Sequence, residues 1–282
     1  MEGSFKGILY PARLPVFHRF PAPPSVADLV QWFWIPEWDI EPGRTSRQHV
    51  IAYPGSNLVV QPDNVVLSGP TTRASYRDLS GRGWAVGALL RPASMPLFTD
   101  DPAALRDAER ALTLEELHRP VAAAMNAGDG DTRRMQAVDA FVAWLGPMAG
   151  GSVSEEGLLA NHLLDVVDSD ASLGRIEEVA ERLSVSPRTV QRLARKYIGL
   201  SPGALIRRRR LQDAAERARL DASTDVAAIA AELGYADHAH LTNDFRKHLG
   251  LTPSSYRRAV GGEESSSECA PGVIQHPLHT DA

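Results

Sequence analysis

From about residue 175 onward, apolar residues return every three or four positions, and the pattern runs twice. Ile176, Val179, Ala180 and Leu183 make one short helical stripe, and Val226, Ile229, Ala230 and Leu233 make a second. Each is followed by a turn and another amphipathic segment. In the first copy Ser184-Val185-Ser186 forms the turn, with Ser186 as N-cap and Pro187 at the first helical position, where its missing N–H costs nothing. The helix over 187–197 then buries Val190, Leu193 and Tyr197, and Gly199 ends it. In the second copy Gly234 serves the turn and Asp237 caps a helix over 237–248 that buries Leu241, Phe245 and Leu249. Gly199-Leu200-Ser201-Pro202 and Gly250-Leu251-Thr252-Pro253 close the copies fifty-one residues apart. Between them Ala204–Leu220 predicts a helix about 25 Å long, with Leu205, Ile206, Leu211, Ala214, Ala215 and Ala218 on its apolar side.

The first hundred residues have a different texture. Short β-prone stretches at Val30–Ile35, His49–Tyr53, Asn57–Gln61, Val65–Ser68 and Trp84–Leu90 alternate with Pro/Gly turn signals, which implies a sandwich or small barrel. Alanine-rich helical spacing takes over at 101–125 and 131–145, and Leu158–Val167 reads as another helix. The predicted fold class is α+β and multidomain. A β-rich unit occupies 1–99, a helical extension 100–170, an all-α unit of two helix-turn-helix elements joined by a long helix 171–260, and a disordered tail 261–282.

Charge divides along the same lines. The whole chain carries −5, but residues 175–260 hold 16 Lys and Arg against 10 Asp and Glu, a net of +6. Residues 1–174 carry −7 and the tail −4. One module is therefore suited to phosphate and the other is not. The single cysteine, Cys269, permits no internal disulfide and no cysteine metal cluster. The apolar runs are too short to span a bilayer, and the start lacks the signature of a signal peptide, so a cytoplasmic, membrane-free protein is expected.

The outward faces of the doubled motif carry the chemistry. Arg188, Gln191 and Arg192 occupy the N-terminal half of the first second-helix, which in a helix-turn-helix enters the major groove. Arginine pairs with guanine O6/N7 and glutamine with adenine N6/N7. Arg195 and Lys196 lie further along and suit phosphate. In the second copy His238, Ala239, Thr242 and Asn243 face outward, with Arg246 and Lys247 behind them for phosphate. Arg207–Arg210 on the connecting helix divide between phosphate, with Arg208 the candidate, and salt bridges to Asp213 and Glu216. The alternative for the first helix is a solvated basic face, and capping, turn and partner helix together favour DNA. His238 and His240 point to different faces of a helix and lack a third ligand, so no metal or other cofactor is expected.

Residues 175–258 resemble the DNA-binding domain of AraC/XylS-type transcription regulators, through SPRTVQRLARKYIGLSP, RRRRLQDAAERA and IAAELGYADHAHLTNDFRKHLGLTPSSYRR. That resemblance implies promoter DNA as partner, RNA polymerase beside it, and no enzymatic activity. Asn243 stands where the family usually carries Arg, and Ala194 where an aromatic is common. Residues 13–99 resemble a subgroup with a cupin-like N-terminal domain, through Trp32-Phe33-Trp34 and Gly81-Arg82-Gly83 to Gly87. Such a domain implies a small-molecule effector, for which Trp32, Trp34, Arg44 and His49 are the candidates. The tryptophans line a pocket or fill a core, Arg44 and His49 meet an anion or sit on an exposed loop, and the helices of 101–167 form a homodimer or cap the β unit. A metal-dependent enzyme and a cysteine-based alkyltransferase are the catalytic rivals. Isolated His18 and His49 argue against the first, and the lone tail cysteine against the second.

Overall fold

Alternation along the longest strand sets the N-terminal unit. The computed structural model describes residues 16–50, 54–150, 153–170, 172–220, 226–260 and 274–275. In β2 (Val30–Asp39) the side chains of Phe33 and Ile35 enter the core while Trp32, Trp34 and Trp38 stand half-buried on the other face. β1 (Val16–Pro21), β4 (Asn57–Val60), β5 (Val65–Ser68), β8 (Val86–Leu90) and β9 (Glu109–Leu112) complete an antiparallel sheet in the order β1-β2-β8-β4-β5-β9. The short β7 (Arg82–Trp84) pairs with the end of β2. A second sheet pairs β3 (Thr45–Val50) with β6 (Ser75–Ser80), and the two-residue β10 (Ile274–Gln275) lies parallel to β6.

One face of the main sheet is covered by a helical hairpin, α1 (Glu115–Asn126) and α2 (Gly130–Ala149). Leu117, Val121, Met125, Ala137, Phe141 and Leu145 share a core with Phe33, Ile35, Leu58, Val60, Leu67, Val86 and Ala88. Glu37 on β2 receives both Arg133 and Arg134 of α2, which fixes the hairpin's rotation on the sheet. The helix expected over 101–125 starts only at Glu115. Pro102–Leu105 makes a 3-10 turn, Asp107 takes a left-handed φ of 56°, and Glu109–Leu112 adds to the edge of β5. Pairing with an open edge outweighs alanine propensity there. The strand expected over 49–53 begins earlier, at Thr45, and 51–53 lie outside the described residues, as do Cys269 and the rest of the 261–282 tail except Ile274–Gln275.

α3 (Glu155–Ser169) packs on the C-terminal unit. Ala160, Leu163 and Val167 join Val179, Ala180, Val190 and Leu193 in one core, so α3 buries its apolar face on the first helix-turn-helix rather than on α1 and α2. Its other side is tied to the β unit. Asn161 accepts from the Ala93 N–H at 2.9 Å and donates to the Asp28 carbonyl at 2.9 Å, and Asp165 pairs with Arg91.

Both copies of the repeat fold as their periodicity predicts. α4 (Ile176–Arg182) supports α5 (Pro187–Leu193), which widens into a π turn over Ala194–Ile198. α7 (Val226–Glu232) supports α8 (His238–Leu249). The two turns close identically: Val185 N–H donates to Ala180 O at 3.0 Å and Tyr235 N–H to Ala230 O at 2.9 Å. The left-handed position in each is Ser184 (φ 54°) and Gly234 (φ 70°). α6 (Pro202–Leu220) joins the copies, and α9 (Pro253–Val260) places Tyr256 in the second core.

The glycines of β7 and β8 are seats for tryptophan. Trp38 pairs across strands with Gly83 and Trp34 with Gly87, and a Cβ at Gly87 would fall 2.1 Å from the Trp34 ring. Gly87→Ala is expected to destabilise the chain by about 1–3 kcal/mol, the cost of overpacking. Gly203→Ala, with nothing within 4 Å, leaves stability unchanged or raises it by up to about 1 kcal/mol. Urea midpoints measured for both variants check the pair.

Candidate nucleic-acid interface

α5 presents one wholly buried side and one open side. Val190, Leu193, Ala194 and Tyr197 are buried against α3 and α4, and Arg188, Gln191, Arg192, Arg195 and Lys196 are exposed. Ser186 caps the helix by accepting from Thr189 N–H at 3.1 Å, which anchors the end that carries Arg188. Ala194 leaves little volume in the core, and the π turn brings Tyr197 and Ile198 into it together. Gly199 ends the segment with φ 78°, and Pro102 packs so closely that a Cβ there would lie 2.5 Å from its carbonyl oxygen. The five polar side chains expected on this helix are thus brought to one face.

α8 shows the same design with milder chemistry. Asp237 caps it by accepting from His240 N–H at 2.7 Å, and Leu241, Phe245 and Leu249 are buried. His238, Ala239, Asn243, Arg246 and Lys247 are exposed and Thr242 is half-buried, its hydroxyl 3.5 Å from His238 Nε2. His240 packs edge-on against Tyr235, apart from His238. Among the described residues no group of three or more His, Cys, Asp or Glu is placed to hold a metal ion. No described helix is long and apolar enough to cross a membrane.

Arg208 departs from its expected role. It is buried to 4% exposure and donates to the carbonyl and hydroxyl oxygens of Thr71, so it meets the β unit and not phosphate. Burial pulls its pKa down to about 10, with Asp107 opposing, and the guanidinium stays charged at neutral pH. The same loop is held by Asp107, which accepts from the Thr72 N–H and hydroxyl, and by the Ala74 N–H, which donates to Lys247 O at 3.1 Å. Arg106 donates to Gly199 O at 2.8 Å. The rest of the basic run is also largely structural. Arg207 lies 4.0 Å from Asp244, Arg209 donates to Asp168 O at 2.8 Å and lies 3.5 Å from Asp213, and Arg210 lies beside Gly174 and Gly234. None of Thr71, Asp107, Glu156 or Asn161 stands out in the sequence, because each acts on a partner far along the chain.

In the β unit Trp32 lies under Arg19, whose Cζ is 4.5 Å from the ring centroid. Trp34 donates to Asn57 Oδ1 at 3.0 Å and stacks on Phe17 with 6.1 Å between centroids. Both tryptophans sit opposite the hydrophobic core, on the sheet face that also carries Asn57 and Gly87. Arg44 is exposed and paired with Glu41. His49 is on β3, and its side chain lies outside the described residues.

Two capped helices, each propped by a shorter apolar helix and both attached to one rod, define a double helix-turn-helix unit. A family profile described as a helix-turn-helix domain matches residues 179–259, and a domain of unknown function, DUF6597, matches residues 18–109. Residues 179–259 thus form a helix-turn-helix domain similar to those of HTH-type transcriptional regulators. An HTH-type transcriptional regulator of Haemophilus influenzae is 34% identical over 98 residues, 35% of this chain and 33% of that protein. The HTH-type transcriptional activator RhaS of Escherichia fergusonii is 32% identical over 99 residues, 35% of each. The chain thus spans about a third of the length of these curated relatives. The solved structure of ToxT from Vibrio cholerae is similar over 88% of this chain and 99% of that one, with 12% identity and a TM-score of 0.42.

His248 gives the joint a pH signature. Neither ring nitrogen has a hydrogen-bond partner among the described residues. Burial first, then the charge of Arg208, hold its pKa down to about 4 from an ordinary 6.5, against the opposing pull of Asp244. Between those values the unfolded chain binds a proton that the folded chain refuses. The stabilising contribution is therefore complete above pH 6.5 and is lost as pH falls toward 4. The full shift corresponds to about 3 kcal/mol, and solvent screening at this partly accessible site reduces it to about 1–2 kcal/mol. Denaturation at pH 7 and pH 5 should show a loss of that size in the parent, and a smaller one in His248→Gln.

Proposed function

We propose that the chain is a sequence-specific transcription regulator that reads two successive major-groove segments of promoter DNA. The observation that carries this reading is the open face of α5. Arg188, Gln191 and Arg192 stand exposed on a capped helix whose opposite side is wholly buried on α3 and α4. On this reading those three side chains meet base edges, and Arg195 and Lys196 meet phosphate. On α8, His238, Ala239, Thr242 and Asn243 take base edges, and Arg246 and Lys247 take phosphate. Ala239 and the Thr242 methyl suit thymine methyl groups and Asn243 suits adenine, so the second half-site differs from the first. No catalysis is part of this function, and a cytoplasmic location goes with it.

The β unit is the sensor in this scheme. Trp32 and Trp34 offer half-buried aromatic surface with Arg19 above it, which suits a small planar or anionic effector. RNA polymerase is the partner met at the promoter, and a second copy pairs through the outer faces of α1 and α2. The DNA-binding unit itself runs over 153–260, because α3 contributes Ala160, Leu163 and Val167 to the core behind α5.

Two experiments test the reading. Arg192→Ala is expected to cost about 1–3 kcal/mol at one base position and to relax specificity there. Uniform weakening on all DNA sequences, measured with single-base operator variants, would refute base reading by that residue. For the unit boundary, the fragment 153–260 should unfold cooperatively, while 171–260 loses most of that stability. Equal thermal midpoints for the two fragments would remove α3 from the DNA-binding unit.

A further inference from the structure

Glu156, in the first turn of α3, is the acidic partner of the α5 face. Its carboxylate takes Arg192 on one oxygen, and Lys196 together with the Tyr197 hydroxyl on the other, the last at 2.9 Å. Tyr197 is 2% exposed, so the hydroxyl is a fixed anchor, and Lys196 Nζ also lies 5.0 Å from the Tyr197 ring centroid. The carboxylate is 27% exposed, whereas Arg192 and Lys196 are 55% and 52% exposed and still reach solvent. Glu156 is not needed to place α3. Ser154 caps that helix by accepting from Gly157 N–H at 3.1 Å, and Ala160, Leu163, Val167 and Asn161 hold its body. Among the described residues Arg188 and Arg195 carry no ion pair, so the carboxylate acts on only one side of α5.

We infer that Glu156 is a specificity-determining positioning residue: it orients Arg192 for one base contact and cancels one of the two charges at Arg192 and Lys196. This rests on the DNA-reading role proposed for α5. A free lysine or arginine on a helix face attracts any phosphate and adds about 0.9 to the salt slope of every complex, specific or not. Pairing both cations to one anchored carboxylate removes about one such unit from non-specific binding. It also holds the Arg192 guanidinium in one direction, as a bidentate contact requires.

The test uses the full chain, an operator selected from random duplexes, and a scrambled duplex of the same length. With Glu156→Gln, binding to the scrambled duplex should tighten about eightfold near 0.1 M salt, and its salt slope should steepen by about 0.9. Operator binding should tighten less, so that preference for the operator falls about fivefold or more. Tyr197→Phe keeps the charge and removes the anchor, so its slope should match the parent while its operator preference falls. Equal tightening on both DNAs, or none on either, would overturn the inference for Glu156. Parental preference in Tyr197→Phe would overturn the orienting role, and Glu156→Gln stands alone if that variant fails to fold. Arg192→Ala in the same assay separates the two levels: retained operator preference there sinks base reading by Arg192 itself, whatever Glu156→Gln shows.

Discussion

A single rod, α6, belongs to two hydrophobic cores at once, and the C-terminal half of the molecule depends on that. Leu205 and Ile206 pack into the core of the first helix-turn-helix, and Leu211, Ala214, Ala215 and Ala218 into that of the second. An α-helix resists axial compression and twist, so the two recognition units inherit a spacing and a rotation from the phase of its apolar residues. Between the two sets the chain carries Arg207–Arg210, and its position explains why those arginines are mostly occupied by protein partners. They occupy the stretch where one core ends and the next begins, surrounded by Asp168, Thr71, Asp213 and Asp244.

The β unit reinforces the same geometry from outside. It touches the first helix-turn-helix at Gly199, through Arg106 and Pro102, and the second at Lys247, through Ala74. Arg208 joins the same loop to α6, and Asp107 keeps that loop in shape. A change in the β unit that moved residues 69–74 would act on the rod and on α8 together. Asn161 supplies a separate route, from Asp28 and Ala93 into α3 and so to the back of α5. Contacts of this kind, in which one element is bound on two sides, let a displacement in the β unit reach both helix-turn-helix elements.

The repeat was legible in the sequence because every determinant of it is local. Caps at Ser186 and Asp237, turns at Ser184 and Gly234, and stripes three and four residues apart are read within a dozen positions. The β unit was legible only where strands are apolar. β6 reads Ser-Tyr-Arg-Asp-Leu-Ser and β9 Glu-Arg-Ala-Leu, and both exist because a neighbouring strand offers hydrogen bonds. The tryptophan–glycine pairs lie between these cases. Trp34 with Gly87 and Trp38 with Gly83 are visible as residue types, but their meaning depends on an antiparallel register that brings them face to face. Arg208 shows the limit of reading charge alone. A run of four arginines resembles a phosphate-binding patch until long-range partners are placed around it.

The inequality of the two copies then has a structural cause beyond their different residues. α5 backs onto α3, which brings an acid to its cationic face, whereas α8 backs onto α6 and α9 and has Arg246 and Lys247 exposed. The copy with more arginines is the one whose charge is partly cancelled, and the copy with fewer keeps its cations open to solvent. Counting basic residues would assign non-specific affinity to α5. The ion pairs narrow that difference, because beside Glu156 the four cations of α5 act as about three, against Arg246 and Lys247 on α8.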